Sequence, residues 1–181
     1  MFIYEALSKD HREFERLLDE LVAASKADDD RWKQVLDQLR RDVIAHAHAE
    51  EAVFYNALRD ADQASGLVMH SYGEHAMAEG EMRTLGAAKL IDTTWTSMAE
   101  KLRHDLRHHI QEEETKVYAA ARAVLTDEEA SQIGAAFERL KAEKAHEGDS
   151  MIASTLDLVA NLLPPRFTES FRKHAATRRA P

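Results

Sequence analysis

The stretch His46-Ala-His-Ala-Glu50-Glu51-Ala-Val-Phe-Tyr55 decides the reading of this chain, because His109-Ile-Gln-Glu-Glu113-Glu114-Thr-Lys-Val-Tyr118 repeats it. In both, a His is followed four residues later by a Glu-Glu pair, and the string closes on an apolar residue and a Tyr. Asp10-His11 stands ahead of the first string and Glu74-His75 ahead of the second, at almost the same separation. An acidic residue with a His, then His-x3-Glu-Glu, is therefore one helical hairpin used twice. Residues four apart lie on one face of a helix. His46 with Glu50, and His109 with Glu113, thus project together.

Outward from these strings, apolar residues alternate at three- and four-residue spacing, the mark of a helix with one buried stripe. The first helix reads Leu7, His11, Phe14, Leu18, Leu21 and ends near Lys26, before Asp28-Asp29-Asp30. The second reads Leu36, Leu39, Val43, His46, Glu50, Val53, Ala57, to about Asp60. The third starts near Ser65 and reads Val68, Tyr72, His75, then Glu79 or Ala78, Met82, Leu85. The fourth reads Leu102, Leu106, His109, Glu113, Val117, Ala120, Val124. Short connections force antiparallel neighbours, so the expected fold is all-α, an up-down-up-down four-helix bundle over 1–125. Residues 126–181 are expected to form a C-terminal helical extension and tail. Thr126-Asp127-Glu128-Glu129 is a capping box opening a fifth helix to about His146. A short helix is expected over Asp149–Leu163, stopped by Pro164-Pro165, with a loose basic tail from Arg166 to Pro181.

The chain has 181 residues and a net charge of −9, which disfavours a nucleic-acid partner. It has no cysteine, so disulfides, thiolate metal sites and a cysteine nucleophile are excluded. No apolar run reaches the roughly 18 residues needed to span a bilayer. No signal peptide is visible either, and cytoplasmic location is the default expectation. Ten histidines are the unusual count.

At about 1.5 Å of rise per residue, His11, His46, Glu50, His75, His109 and Glu113 return to one level of the bundle. A single His on an apolar face is ordinarily a packed core residue. Four at one level beside two carboxylates suit a pair of cations, with two His on each and both carboxylates bridging. Nitrogen and oxygen donors without sulfur fit iron or manganese. The competing reading is a metal-free His–Glu hydrogen-bond layer, or a rotated bundle that leaves some of these groups in solvent. His48, His104 and His108 offer other registers, including His104-x3-His108 and His108-x3-Glu112. Aligning the repeats through Tyr55 and Tyr118 selects His46 and His109 and sends the others to the surface. Tyr55 and Tyr118 read as packing residues at helix ends, with support of the ligands or radical trapping as the alternative. Glu79 is a weak further ligand and Tyr72 a neighbour of the site, while His146 and His174 receive no role.

The strings DHREFERLL from Asp10, HAHAEEAVFY, EHAMAEGEM from Glu74 and HHIQEEETKVY from His108 resemble the hemerythrin-like (HHE cation-binding) family over about residues 5–125. The resemblance implies a non-haem di-iron centre with two carboxylates and an oxo or hydroxo bridge; an iron–manganese pair suits the same donors. Carried over by position, the ligands are His11, His46, Glu50, His75, His109 and Glu113. Oxygen-carrying members have a second His on the third helix, where this chain has Ser71 and Glu79. Their fourth helix carries His-x4-Asp, where this chain has Glu114, and His-x3-Glu113 fits better. One fewer His leaves open coordination, so reaction with hydrogen peroxide, catalase- or peroxidase-like, is expected. The alternative is a non-enzymatic module that binds or senses oxygen, nitric oxide or iron, with the extension as its output. A metal-free interaction protein is the third reading.

Overall fold

Helices form wherever the sequence repeats apolar residues every three to four positions. The computed structural model describes residues 1–26, 31–59, 61, 64–88, 91–146 and 159–177. Its helices are α1 (Ile3–Lys26), α2 (Arg31–Glu50), α3 (Asn56–Leu58), α4 (Ser65–Ala87), α5 (Thr93–Glu112), α6 (Tyr118–Val124), α7 (Asp127–His146) and α8 (Pro165–Thr177). No strand occurs among the described residues. The second and fourth rods are not plain α-helices as the seams suggest. Each contains a π turn, Glu51–Tyr55 between α2 and α3 and Glu113–Val117 between α5 and α6.

Contacts that pair early residues of one rod with late residues of the next fix the directions. Glu20 meets Arg31 while Asp10 meets His46, so α1 and α2 are antiparallel. Glu81 meets Lys101 while Glu74 meets His109, which does the same for α4 and α5. With α1 also against α5 and α2 against α4, the four form a closed up-down-up-down square. At one end Asp92 caps α5, accepting from the Trp95 amide at 2.8 Å, and Trp95 Nε1 donates to the Leu85 carbonyl at 3.0 Å. Trp32 and Trp95 meet edge to face there, 4.9 Å apart.

Two apolar clusters fill the bundle. One gathers Phe14, Leu18, Leu39, Met82, Trp95 and Leu106, towards the tryptophan end. The other gathers Leu7, Val53, Phe54, Val68, Val117 and Phe137. Along every rod the polar seam residues fall between the two: His11, for example, sits between Leu7 of one and Phe14 of the other. The polar layer is therefore dry above and below.

The capping box at Thr126 forms as expected. Thr126 Oγ1 accepts from the Glu129 amide at 3.3 Å, and Glu129 Oε2 accepts from the Thr126 amide at 2.9 Å. The helix it opens, α7, lies along α1 and α2. The expected short helix is seen only at 159–162; its start at 149–158 lies outside the described residues. Where a loose tail is expected, 166–177 belong instead to α8, and 178–181 lie outside the described residues. Proline is well suited to the first position of a helix, having no N–H to leave unpaired. Phe167 and Phe171, four residues apart, supply a buried stripe. Arg166 bonds Glu129 and the Val124 carbonyl, and Ser170 bonds Asn56 and Arg59. No helix among the described residues is long and apolar enough to cross a membrane.

Gly134 is where the chain start crosses α7. A Cβ there would lie 2.6 Å from the Met1 carbonyl oxygen and 2.9 Å from the Ile3 nitrogen, both backbone atoms. Gly134→Ala is expected to cost about 1–3 kcal/mol through overpacking. Thermal denaturation would register this as about 2–4 °C per kcal/mol; an unchanged melting temperature would show that the start of the chain does not rest on α7.

Candidate metal centre

The structure brings His11, His46, Glu50, His75, His109 and Glu113 together at mid-height, each at most 7% exposed. They fall into two groups whose ligand atoms lie within 4.8 Å of one another, His11 with His46 and Glu113, and Glu50 with His75 and His109. Either group can hold a metal ion. Each carboxylate also reaches a His of the other group or its own. Glu50 Oε2 is 3.5 Å from His75 Nε2 and 3.7 Å from His46 Nε2. Glu113 Oε2 is 3.3 Å from His11 Nε2 and 3.9 Å from His109 Nε2.

The four imidazoles are aimed by four further carboxylates. His46 Nδ1 lies 3.0 Å from Asp10, and His109 Nδ1 lies 2.9 Å from Glu74. His11 Nδ1 lies 3.0 Å from Glu114, and His75 Nδ1 lies 3.0 Å from Glu51. An Nδ1–H donating outward leaves Nε2 facing inward, the arrangement that orients a metal-binding imidazole and strengthens its donor nitrogen. The supporting acids are the residues next to the inward ones in the repeat: Asp10 before His11, Glu51 after Glu50, Glu74 before His75, Glu114 after Glu113. Sequence reasoning saw these neighbours as part of the repeat and gave them no role.

Inside the layer, His11 Nε2, His46 Nε2, both oxygens of Glu50 and Glu113 Oε2 are buried without a hydrogen-bond partner. An unsatisfied buried polar atom costs about 1–3 kcal/mol. The unpartnered atoms are nitrogen and oxygen donors converging on one volume, which is the donor chemistry of iron or manganese. The residues present fit such a pair.

Tyr55 does more than pack. Its hydroxyl donates to Glu113 Oε1 at 3.2 Å, and its ring stacks on His75 at 5.6 Å. Tyr118, its counterpart in the repeat, lies 3.4 Å from Ser8 Oγ and stays off the layer. Tyr72 and Glu79 line a cleft of about 260 Å³ between α2 and α4 that reaches His75 and Glu51. Glu79 is exposed and pairs with Arg83, while Ala78 is the buried residue on the seam. His48 borders the same cleft, and His104 and His108 are exposed. From outside the bundle, Lys141 of α7 donates to both oxygens of Asp10, at 2.9 and 2.8 Å, and Phe137 packs edge-on against the His46 ring.

Residues 3–121 match the hemerythrin HHE cation-binding domain, and the chain belongs to that family. A DNA nickase of Nostoc sp. (strain PCC 7120) is 24% identical over 143 residues, 79% of this chain and 40% of that protein. The chain thus spans about two fifths of that relative's length. No solved structure matches it.

Burial holds the His46 imidazole down at about 4 against the opposing bond to Asp10, and lowers His75 likewise. Burial would lower His11 too, but the carboxylates of Glu113 and Glu114 beside it outweigh this and hold it at about 9. Glu50 is raised well above the usual carboxylate range, first by burial and then by the charge of Glu113. Burial opposes ionisation of Glu113, yet the Glu50 carboxyl and His11 beside it keep it below that range. Burial, then the charges of Glu113 and Glu50, raise Tyr55, so it remains a donor. At neutral pH His11 therefore keeps its proton, and burial beside Glu113 favours the protonated form of Glu50; a cation bound among them would displace such protons.

The stability contributed by His11 is complete below pH 6.5, the ordinary imidazole value, and is lost as pH rises through about 9. Glu50, whose carboxyl is raised in the folded chain, contributes in the same direction as pH rises. The urea midpoint of the metal-free protein is expected to fall between pH 6.5 and 9, and iron loading should flatten that fall. A midpoint that rises over this range contradicts the assignment.

Proposed function

We propose that this chain holds a non-haem pair of iron ions and uses it to react with small oxidants, hydrogen peroxide above all. His11, His46 and Glu113 would hold one ion, and His75, His109 and Glu50 the other. An iron–manganese pair would suit the same donors. The observation that carries this reading is four imidazoles, each tied outward by a carboxylate, turning Nε2 inward beside two buried glutamates. When bound, the ions would supply two adjacent one-electron centres, enough for the two-electron conversion of peroxide in a catalase- or peroxidase-like reaction.

The chain's own residues do the rest. Asp10, Glu51, Glu74 and Glu114 hold the rings in place. The two apolar clusters keep bulk water from the layer. The α2–α4 cleft, which ends on His75 and Glu51, is of a size for a small molecule. Tyr55 holds Glu113 in position by its hydroxyl. Tyr72, whose hydroxyl lies 3.4 Å from the Glu51 carbonyl, and Glu79 border the cleft and would pass protons along it. Ser71 is buried and Glu79 exposed where an oxygen carrier has a further imidazole on the third helix, which favours peroxide over reversible oxygen carriage. The name of the Nostoc relative refers to DNA. A net charge of −9 works against a polyanionic partner for this chain. The iron-loaded protein is expected to release oxygen from peroxide, and His46→Ala to lose that activity; turnover no greater than that of free iron would overturn the proposal.

One observation favours a second reading, a non-enzymatic module that binds or senses oxygen, nitric oxide or iron. Helix α7 lies beyond the family match, yet it touches the layer through Lys141–Asp10–His46 and through Phe137. Under that reading, removing iron should expose α7 to limited proteolysis, without any peroxide turnover by the loaded form. Identical cleavage of metal-free and loaded protein would exclude it.

A further inference from the structure

The His-x3-Glu spacing occurs again outside the buried layer, at His70–Glu74 on α4 and His108–Glu112 on α5. The two pairs face each other where these helices adjoin. His70 Nε2 is 3.4 Å from Glu74 Oε1 and 3.6 Å from Glu112 Oε2, and His108 Nδ1 is 3.6 Å from Glu74 Oε1. These separations exceed those of ordinary N–H···O bonds, about 2.7–3.2 Å. They match instead the spacing of donors sharing one ion: bonds of about 2.1 Å in tetrahedral geometry put ligand atoms about 3.4 Å apart. The buried layer shows the same division, with Nδ1–carboxylate bonds at 2.9 to 3.0 Å and most Nε2–carboxylate approaches at 3.3 to 3.9 Å.

Two features tie this cluster to the layer. Glu74 gives one oxygen to it and bonds His109 Nδ1 with the other, at 2.9 Å. A cleft of about 350 Å³ is lined by His70, Glu74, His108 and His109 together. Lys116 pairs with Glu112 through Oε1, leaving Oε2 towards His70. We propose that His70, Glu74, His108 and Glu112 form an outer site for a divalent first-row cation, and that ferrous iron passes through it to the buried centre. The entry role rests on the di-iron reading above; cation binding at the outer site does not.

His70 and His108 are 60% and 54% exposed, so removing both imidazoles leaves the core intact. Glu74 is unsuitable for the test because it also holds His109. Cobalt(II) binding to the metal-free full chain, followed by equilibrium dialysis and visible absorption, should give three ions for the wild type and two for His70→Ala/His108→Ala. His46→Ala should keep the outer ion. Ferrous iron uptake by the double variant should slow at least about tenfold, the lower end of what a charged funnel adds to an on-rate, while the buried centre still fills completely. Three cobalt ions in the double variant would overturn the outer site. Loss of the third ion with unchanged uptake would overturn its role as an entry. If the wild type binds a single cobalt, lost in the double variant and kept in His46→Ala, the outer site stands, and both its entry role and the buried centre fall.

Discussion

Burying four imidazoles and two carboxylates at the middle of a helical bundle is the constraint to which the rest of the structure answers. Each buried ion costs several kcal/mol unless it is paired and hydrogen-bonded, against a total stability of about 5–15 kcal/mol for a domain. The cost is met by ties rather than by apolar packing. Asp10–His46 and Glu74–His109 join rods within a hairpin. Glu114–His11 and Glu51–His75 join one hairpin to the other. The layer thus cross-links all four helices, and its register sets theirs. The same bonds that aim the imidazoles hold the bundle square.

The π turns follow from that demand. Glu50 must face inward while Glu51, the next residue, must reach His75. Glu113 and Glu114 face the same requirement towards the layer and towards His11. In a regular α-helix adjacent residues diverge by about 100°, so one of each pair would turn away. A single widened turn relaxes this, and such turns recur at functional sites. After Glu50 it also carries Val53, Phe54 and Tyr55 inward together, which is what brings the Tyr55 hydroxyl to Glu113.

The six inward residues were legible in the sequence because they break an apolar seam, and a polar break at one height in every rod has few explanations. The four-rod order was legible for the same reason: the seams are long and the connections short. The supporting acids were not, since a carboxylate one residue off the seam has the pattern of a solvated face. For Tyr55 the sequence left packing and support of the site as alternatives, because its reach to Glu113 depends on the π turn, which leaves no signature in a seam count. The tail was misread at Pro165, which ends a helix before it and begins another after it. Only the burial of Phe167 and Phe171 against the rest of the fold tells the two apart.

The sequence repeat makes the two halves of the centre alike, and the tertiary structure makes them differ. On one half, Asp10 divides its charge between His46 and Lys141, and Phe137 covers the ring. A carboxylate shared with an ammonium group pulls less on its imidazole, so His46 is the weaker donor. On the other half, Glu74 meets the imidazoles of His70, His108 and His109, and clefts reach both His75 and His109. One side is closed by α7 and the other is approachable from solvent. Two cations bound here would therefore be inequivalent, and the His75–His109 position would be the one open to a small molecule. The asymmetry arises from a helix beyond the matched family domain, packed against a bundle whose internal repeat would otherwise make the two positions alike.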